Sequence, residues 1–124
     1  MSDSRWFTEL VDGAQGQTFK VDRVLAKEQT AYQSLEIFEN PTLGRVFLLD
    51  GVMMLTERDE ANYHEMLVHP GLLAHPKPER VLVLGGGDGG TLREIVKHPS
   101  VTKAILCEID QRVIDLSKEH LPFT

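Results

Sequence analysis

The run Val81-Leu82-Val83-Leu84 passes directly into Gly85-Gly86-Gly87-Asp88-Gly89-Gly90. Four apolar residues followed by five glycines around one acid leave few folds open. A short continuous apolar run predicts a strand buried on both faces, the setting of a parallel sheet. Leu92, Ile95 and Val96 then fall on one face of a helix, so the loop joins strand to helix. Ala104 to Cys107 is a second apolar run and ends in Glu108. A right-handed crossover makes this second strand parallel to the first. The layout is the mouth of an α/β sheet, where nucleotide-type ligands sit.

Gly85, Gly87 and Gly90 match G-x-G-x-x-G in a context that gives the pattern a mechanism. Missing Cβ atoms let the backbone approach a ligand, and the helix start presents N–H groups. An acid at the end of the next strand, here Glu108, suits the two hydroxyls of a ribose. Asp88 narrows the ligand. A dinucleotide would bring its pyrophosphate beside that carboxylate. Two like charges about 4 Å apart repel by roughly 4 kcal/mol at an effective dielectric near about 20. A sulfonium nucleoside, positively charged and carrying an amine, would be attracted instead. Sulfonium chemistry includes methyl transfer and aminopropyl transfer.

The charge of the whole chain points the same way. Its 124 residues carry a formal net charge of -6, with a pI near 5.3. An acidic surface repels phosphate backbones, which excludes nucleic acid as the expected partner and favours cations. With 41% apolar and 26% charged residues the composition is globular. No stretch is long and apolar enough to span a bilayer, so no membrane partner is expected. Met1 to Arg5 lack the apolar core of a signal peptide, and one cysteine rules out an internal disulfide. A cytoplasmic protein is expected. Cys107, inside an apolar run, reads as a small buried hydrophobe.

Ahead of the loop the pattern is β. Thr18 to Val21 is a candidate strand, and Leu35 and Ile37 alternate with Glu36 as in a half-buried one. Asn40 to Gly44 turns the chain into Arg45 to Leu49, and Asp50-Gly51 is a tight-turn signal before Val52 to Leu55. Thr56 is a candidate helix cap. Tyr63, Met66 and Leu67 have helical spacing, and Pro70-Gly71 is expected to disturb that helix. Asp110 is a candidate cap for a last helix that Pro122 stops. The expected organisation is an antiparallel β domain over 1–55, a connecting helix and linker over 56–78, and the start of a Rossmann-like domain over 79–124. Two parallel strands fall short of a doubly wound sheet, so the chain is expected to be the front part of a longer protein. His64 and His69 suggest a metal only superficially. A helical zinc pair is spaced H-E-x-x-H, whereas these lie five apart and point away from each other, so no metal is expected.

Several blocks in a fixed order resemble the polyamine aminopropyltransferases, in particular bacterial-type spermidine synthase. These are Leu49-Asp50-Gly51-Val52, Thr56-Glu57-Arg58-Asp59-Glu60, Tyr63-His64-Glu65-Met66, the glycine loop with Arg93-Glu94, and Glu108-Ile109-Asp110. The resemblance runs from about Trp6 to Pro122. It implies an α/β protein. A small N-terminal antiparallel β domain would precede the first half of a Rossmann-like, class I methyltransferase-like doubly wound sheet, here truncated. It implies transfer of an aminopropyl group from decarboxylated S-adenosylmethionine to putrescine, giving spermidine and methylthioadenosine. The sulfonium nucleoside is then a co-substrate, and no cofactor is expected. Gln33, Gly85, Gly87, Asp88 and Glu108 match the family's donor-binding positions. Tyr63, His64 and Asp88 match its polyamine-binding positions. The family's general base is an aspartate expected beyond Thr124, so no catalytic base is assigned in this chain, and the chain alone is expected to be inactive. A homodimer or homotetramer is implied for the full-length protein. Met54 stands where the family usually has glutamine, and Ala61 where it usually has phenylalanine. Two other readings stay open: an S-adenosylmethionine-dependent methyltransferase, which needs no acid at position 88, and a non-catalytic nucleoside-binding fragment.

Overall fold

Residues 5–124 are described by a computed structural model. Six strands come first: β1 (Arg5–Leu10), β2 (Gly16–Val21), β3 (Arg23–Gln29), β4 (Ser34–Asn40), β5 (Gly44–Leu49) and β6 (Val52–Thr56). Then follow α1 (Glu60–Ala74), β7 (Arg80–Leu84), α2 (Gly90–Ile95), β8 (Lys103–Cys107) and α3 (Gln111–His120). The chain forms two compact units, one ending at Arg58 and the other running from Asp59 to Thr124. Antiparallel strands followed by a parallel β-α-β-α start are the expected α/β organisation. No helix among the described residues is long and apolar enough to cross a membrane.

In the first unit β1 and β2 form a hairpin, and β3-β4-β5-β6 form an antiparallel meander. Asp50 and Gly51 turn β5 into β6, both at positive φ (51° and 74°), the twist that suits a two-residue hairpin turn. The alternation of Leu35, Glu36 and Ile37 suggests a strand with one wet face, but both faces of β4 are covered. Leu35 and Ile37 are buried on one face, and Phe38 on the other. The β1–β2 hairpin accounts for the second face. Phe7 sits 5.9 Å from Phe38, ring to ring, and packs on a core of Val21, Phe38, Val46 and Leu48. Glu36 shares that face and is held by Arg5 at 2.5 Å and Lys27 at 2.9 Å.

In the second unit β7 and β8 pair in parallel, Val81 opposite Ala104 and Val83 opposite Leu106. Val68 from α1 and Ile95 from α2 close over Val83, with Leu72, Val81, Val101, Ala104 and Leu106 packed around them. This corrects three expectations. First, β7 is not buried on both faces. Leu82, Leu84 (78% exposed) and Ile105 face outward, because among the described residues α1 and α2 cover the opposite side. Second, Cys107 pairs with Leu84 on that open face and is exposed. Third, Val96 does not join the buried face of α2; it is the C-cap and is exposed.

The start and course of α1 also differ from the sequence reading. Thr56 ends β6, and Asp59 occupies the N-cap without a side-chain cap bond. The helix runs through Pro70 to Ala74. Pro70 lacks the N–H of an interior helical residue. Val68 and Leu72 flank it and pack into the core, and that burial carries the helix past the defect. At the far end Asp110 caps α3 as expected, accepting a bond from the Arg112 N–H.

The fully buried Phe38 is the hinge of the first unit's packing. Phe38→Ala should lower stability by about 3–5 kcal/mol through lost burial and the cavity left behind. Urea unfolding followed by circular dichroism measures it.

Candidate functional site

The glycine loop leaves β7 as an extension of the sheet, with the Gly85 N–H donating to the Cys107 carbonyl at 2.9 Å. Parallel pairing then puts the end of β8 beside the loop, which is how Glu108 reaches it. One carboxylate oxygen of Glu108 accepts the Gly87 N–H at 3.0 Å, and the other accepts the Asp110 N–H at 3.1 Å. A Cβ on Gly87 would meet the Glu108 side chain at 2.8 Å, so this close approach requires glycine. A carboxylate has about four acceptor sites, so Glu108 keeps capacity for ligand hydroxyls while it braces the loop.

Asp88 points inward. Its Oδ1 accepts the Gly90 N–H at 2.9 Å, at the first residue of α2. In a phosphate-binding loop that donor would serve the ligand. Here the chain's own carboxylate occupies it. The same Oδ1 lies 3.1 Å from His64 Nε2. Burial pushes the Asp88 carboxyl up, but the bonds from His64 and from the Gly90 N–H outweigh it, and the group titrates below the ordinary aspartate range.

His64 is 1% exposed. Its Nδ1 lies 2.8 Å from Glu60 Oε2, one helical turn earlier. Arg93 grips Glu60 in a two-pronged pair, with Nη1 and Nη2 each donating at 3.0 Å, and donates through Nε to Glu94 at 2.8 Å. Arg93 also donates to the Phe123 carbonyl. Glu94 is buried and is reached by Lys97 at 2.6 Å and by His69 at 3.2 Å. His69 meets His98 at 2.8 Å. Carboxylates and cations thus alternate from Asp88 to Lys97. Burial pushes the Glu94 carboxyl up, but Lys97 and Arg93 pull it down further, to about 2. Burial pushes His64 down, but its bonds to Asp88 and Glu60 raise it above its ordinary value. Among the described residues no cluster of side chains could hold a metal ion.

The structure gathers Gly85, Gly87, Asp88, Glu108 and His64 around one loop. Tyr63 is adjacent to His64 in sequence but turns outward. It is 56% exposed, with its ring edge-on to the imidazole at 5.0 Å. Gln33 belongs to the first unit, in the turn between β3 and β4, where its main-chain carbonyl accepts the Thr30 N–H at 3.0 Å. Sequence reading assigned no role to Glu60, Arg93 or Glu94. The available signal was the i,i+4 spacing of Glu60 and His64 on one helical face. Beside the loop a cavity of about 470 Å³ is lined by Asp88, Leu92, Leu106, Ile114 and Leu121 among others.

Two protein families match the chain. The spermidine synthase tetramerisation domain matches residues 5–57, and the spermine/spermidine synthase domain matches residues 60–124. Polyamine aminopropyltransferases from Bacillus mycoides and Thermotoga neapolitana are each 52% identical, over 94% and 96% of this chain and 42% and 40% of their own lengths. The crystal structure of spermidine synthase from Thermotoga maritima has a TM-score of 0.95 at 50% identity, covering 98% of this chain and 43% of that one. A spermidine synthase in complex with the transition state analogue AdoDATO matches with the same TM-score and identity and is 42% covered. The chain therefore spans well under half the length of the relatives it matches.

Two measurements probe the network. A Cβ on Gly90 would lie 2.2 Å from His64 Cε1, whereas one on Gly71 of α1 meets nothing within 4 Å. Gly90→Ala should destabilise by about 1–3 kcal/mol through overpacking, and Gly71→Ala should stabilise by about 0.5–1 kcal/mol, both read by thermal unfolding. Glu94, with its pKa depressed from 4.5 to about 2, contributes stability that is present above pH 4.5 and lost as pH falls toward 2. Glu94→Gln should flatten that acid limb in denaturant titrations. His64, shifted upward, has the opposite sign: its contribution is present below 6.5 and lost as pH rises through its folded value.

Proposed function

The chain belongs to the spermine/spermidine synthase family, and on that premise we propose that the protein transfers an aminopropyl group from decarboxylated S-adenosylmethionine to putrescine. The products are spermidine and methylthioadenosine. One observation carries this reading: a carboxylate, Asp88, fills the glycine loop where a phosphate-bearing ligand would need N–H donors. It offers a partner to an ammonium instead. The AdoDATO complex of a related spermidine synthase supports the same ligand class.

The roles follow from the chemistry of each group. Asp88 binds the amino group of the aminopropyl arm through a charge-assisted hydrogen bond. Glu108 accepts from the ribose hydroxyls. Gly85 and Gly87 let the backbone come close to the nucleoside, and Gln33 contacts the nucleoside part of the donor. Tyr63 presents its phenol to the acceptor amine, alongside Asp88, and His64 belongs to the same amine-binding group. The amine lone pair attacks the carbon beside the sulfonium. The carbon–sulfur bond breaks, and its electron pair neutralises the sulfur of methylthioadenosine. The new secondary ammonium then gives up a proton to a base, a role assigned to none of these residues. Positioning supplies most of such a displacement's acceleration. No cofactor or metal enters the reaction. We also propose that the first unit mediates homo-oligomer assembly, supported by its match to a tetramerisation domain, and that the protein works in the cytoplasm.

Asp88→Asn should weaken binding of decarboxylated S-adenosylmethionine about ten- to hundredfold, the value of one charged hydrogen bond, and leave methylthioadenosine, which lacks the amine, nearly unchanged. Glu108→Gln should weaken both. Isothermal titration calorimetry gives the two ratios, and equal losses of both ligands in Asp88→Asn would sink the assignment.

A further inference from the structure

We propose that His69 and His98 form an acid-sensitive latch: one hydrogen bond between two imidazoles holds α1 to the end of α2 and is lost when both rings are cations. The latch stands apart from the donor reading above, because it concerns how two helices are held and not what the loop binds.

The bond joins His69 Nδ1 to His98 Nε2 at 2.8 Å, with the rings 5.0 Å apart and tilted by 48°. One nitrogen of such a bond must donate and the other accept. Glu94 Oε2 lies 3.2 Å from the second nitrogen of His69, Nε2, and a carboxylate favours a proton there. His69 Nδ1 is then the acceptor and His98 Nε2 the donor. An incoming proton goes to His98 Nδ1 and leaves the bond intact. A further one has only His69 Nδ1 to go to. Two N–H groups then face each other between two cations, and the bond is lost. The charged groups around the pair belong to α2 and its end. They are Glu94 itself, Lys97 at 2.6 Å from the same Glu94 oxygen, and Arg93 at 2.8 Å from the other.

Each ring is anchored on its own element. His98 follows α2, where its N–H donates to the Ile95 carbonyl at 3.1 Å and its carbonyl accepts the Val101 N–H at 3.0 Å. His69 immediately precedes Pro70, the position at which α1 lacks a helical N–H. The latch therefore braces α1 at the turn where its own hydrogen-bond ladder is broken. Beside it Val68 and Ile95 supply an apolar contact that does not titrate. Because α2 begins at Gly90, a loosened junction between the helices reaches the glycine loop.

The test combines amide hydrogen exchange with ¹⁵N NMR of the two rings, on the wild type and on His98→Gln, between about pH 8 and about pH 5, where histidine changes its charge. A glutamine amide can donate to neutral His69 or, turned over, accept from its cation, so it keeps the bond across the range. At the upper end His98 Nε2 should carry a proton and His69 Nδ1 none. Toward the acid end, exchange of the α1 amides after Pro70, corrected for its intrinsic pH dependence, should speed about tenfold in the wild type, the worth of one hydrogen bond. In His98→Gln it should stay flat. Equal acceleration in both proteins overturns the latch. Any other protonation of the two facing nitrogens at the upper pH overturns it as well, as do two cationic rings with no change in exchange. Both of those results come from the wild type and hold even if the variant does not fold.

Discussion

A carboxylate taken out of water must meet a cation or a set of N–H donors, or it is protonated. The second unit places three within one small volume: Glu60, Glu94 and Asp88. Each is answered. Arg93 takes both oxygens of Glu60 and one of Glu94, Lys97 takes the other side of Glu94, and His64 spans Glu60 and Asp88. The consequence is mechanical as much as electrostatic. These pairs tie α1, the glycine loop and α2 to one another at charged, directional contacts. They work alongside the apolar core of Val68, Val83 and Ile95. Any change that costs one member its partner leaves a buried charge behind, so the network behaves as a unit.

That same chain of charges reaches into the glycine loop through Asp88. The N–H of Gly90, which a phosphate loop would leave free, is bonded to Asp88. Glu108 stands at the end of the neighbouring strand and braces the loop through Gly87. Two carboxylates bonded to one glycine loop repel a pyrophosphate and attract a cation. One family model matches each compact unit, the tetramerisation domain over residues 5–57 and the synthase domain over residues 60–124.

Much of this was legible because it is locally encoded. A strand running into glycines, an acid at a strand end, Asp110 before a helix and Asp50-Gly51 between strands each carry their own signal. The failures share one cause. Val81 to Leu84 looked buried on both faces, Cys107 looked buried, and Glu36 looked solvated. Which face of a strand is covered depends on elements far away in sequence. The helices stand over one side of β7–β8, and the β1–β2 hairpin folds over β4. Pro70 likewise reads as a helix breaker until Val68 and Leu72 are seen packing on either side of it.

The residues alone show a glycine loop that carries its own acid and a second acid at the next strand end. Asp88 within the glycines and Glu108 at the next strand end are set by spacing, and their charge needs no coordinates to interpret. How Asp88 is held depends on packing between elements distant in sequence. Glu60 and Arg93 are 33 residues apart and share no local pattern. Tyr63 and His64 are neighbours in the chain, yet one is exposed and the other is sealed against Gly90. Consecutive residues on a helix point about 100° apart, so it is the packing of α1 against α2 and the loop that selects which of the two is buried.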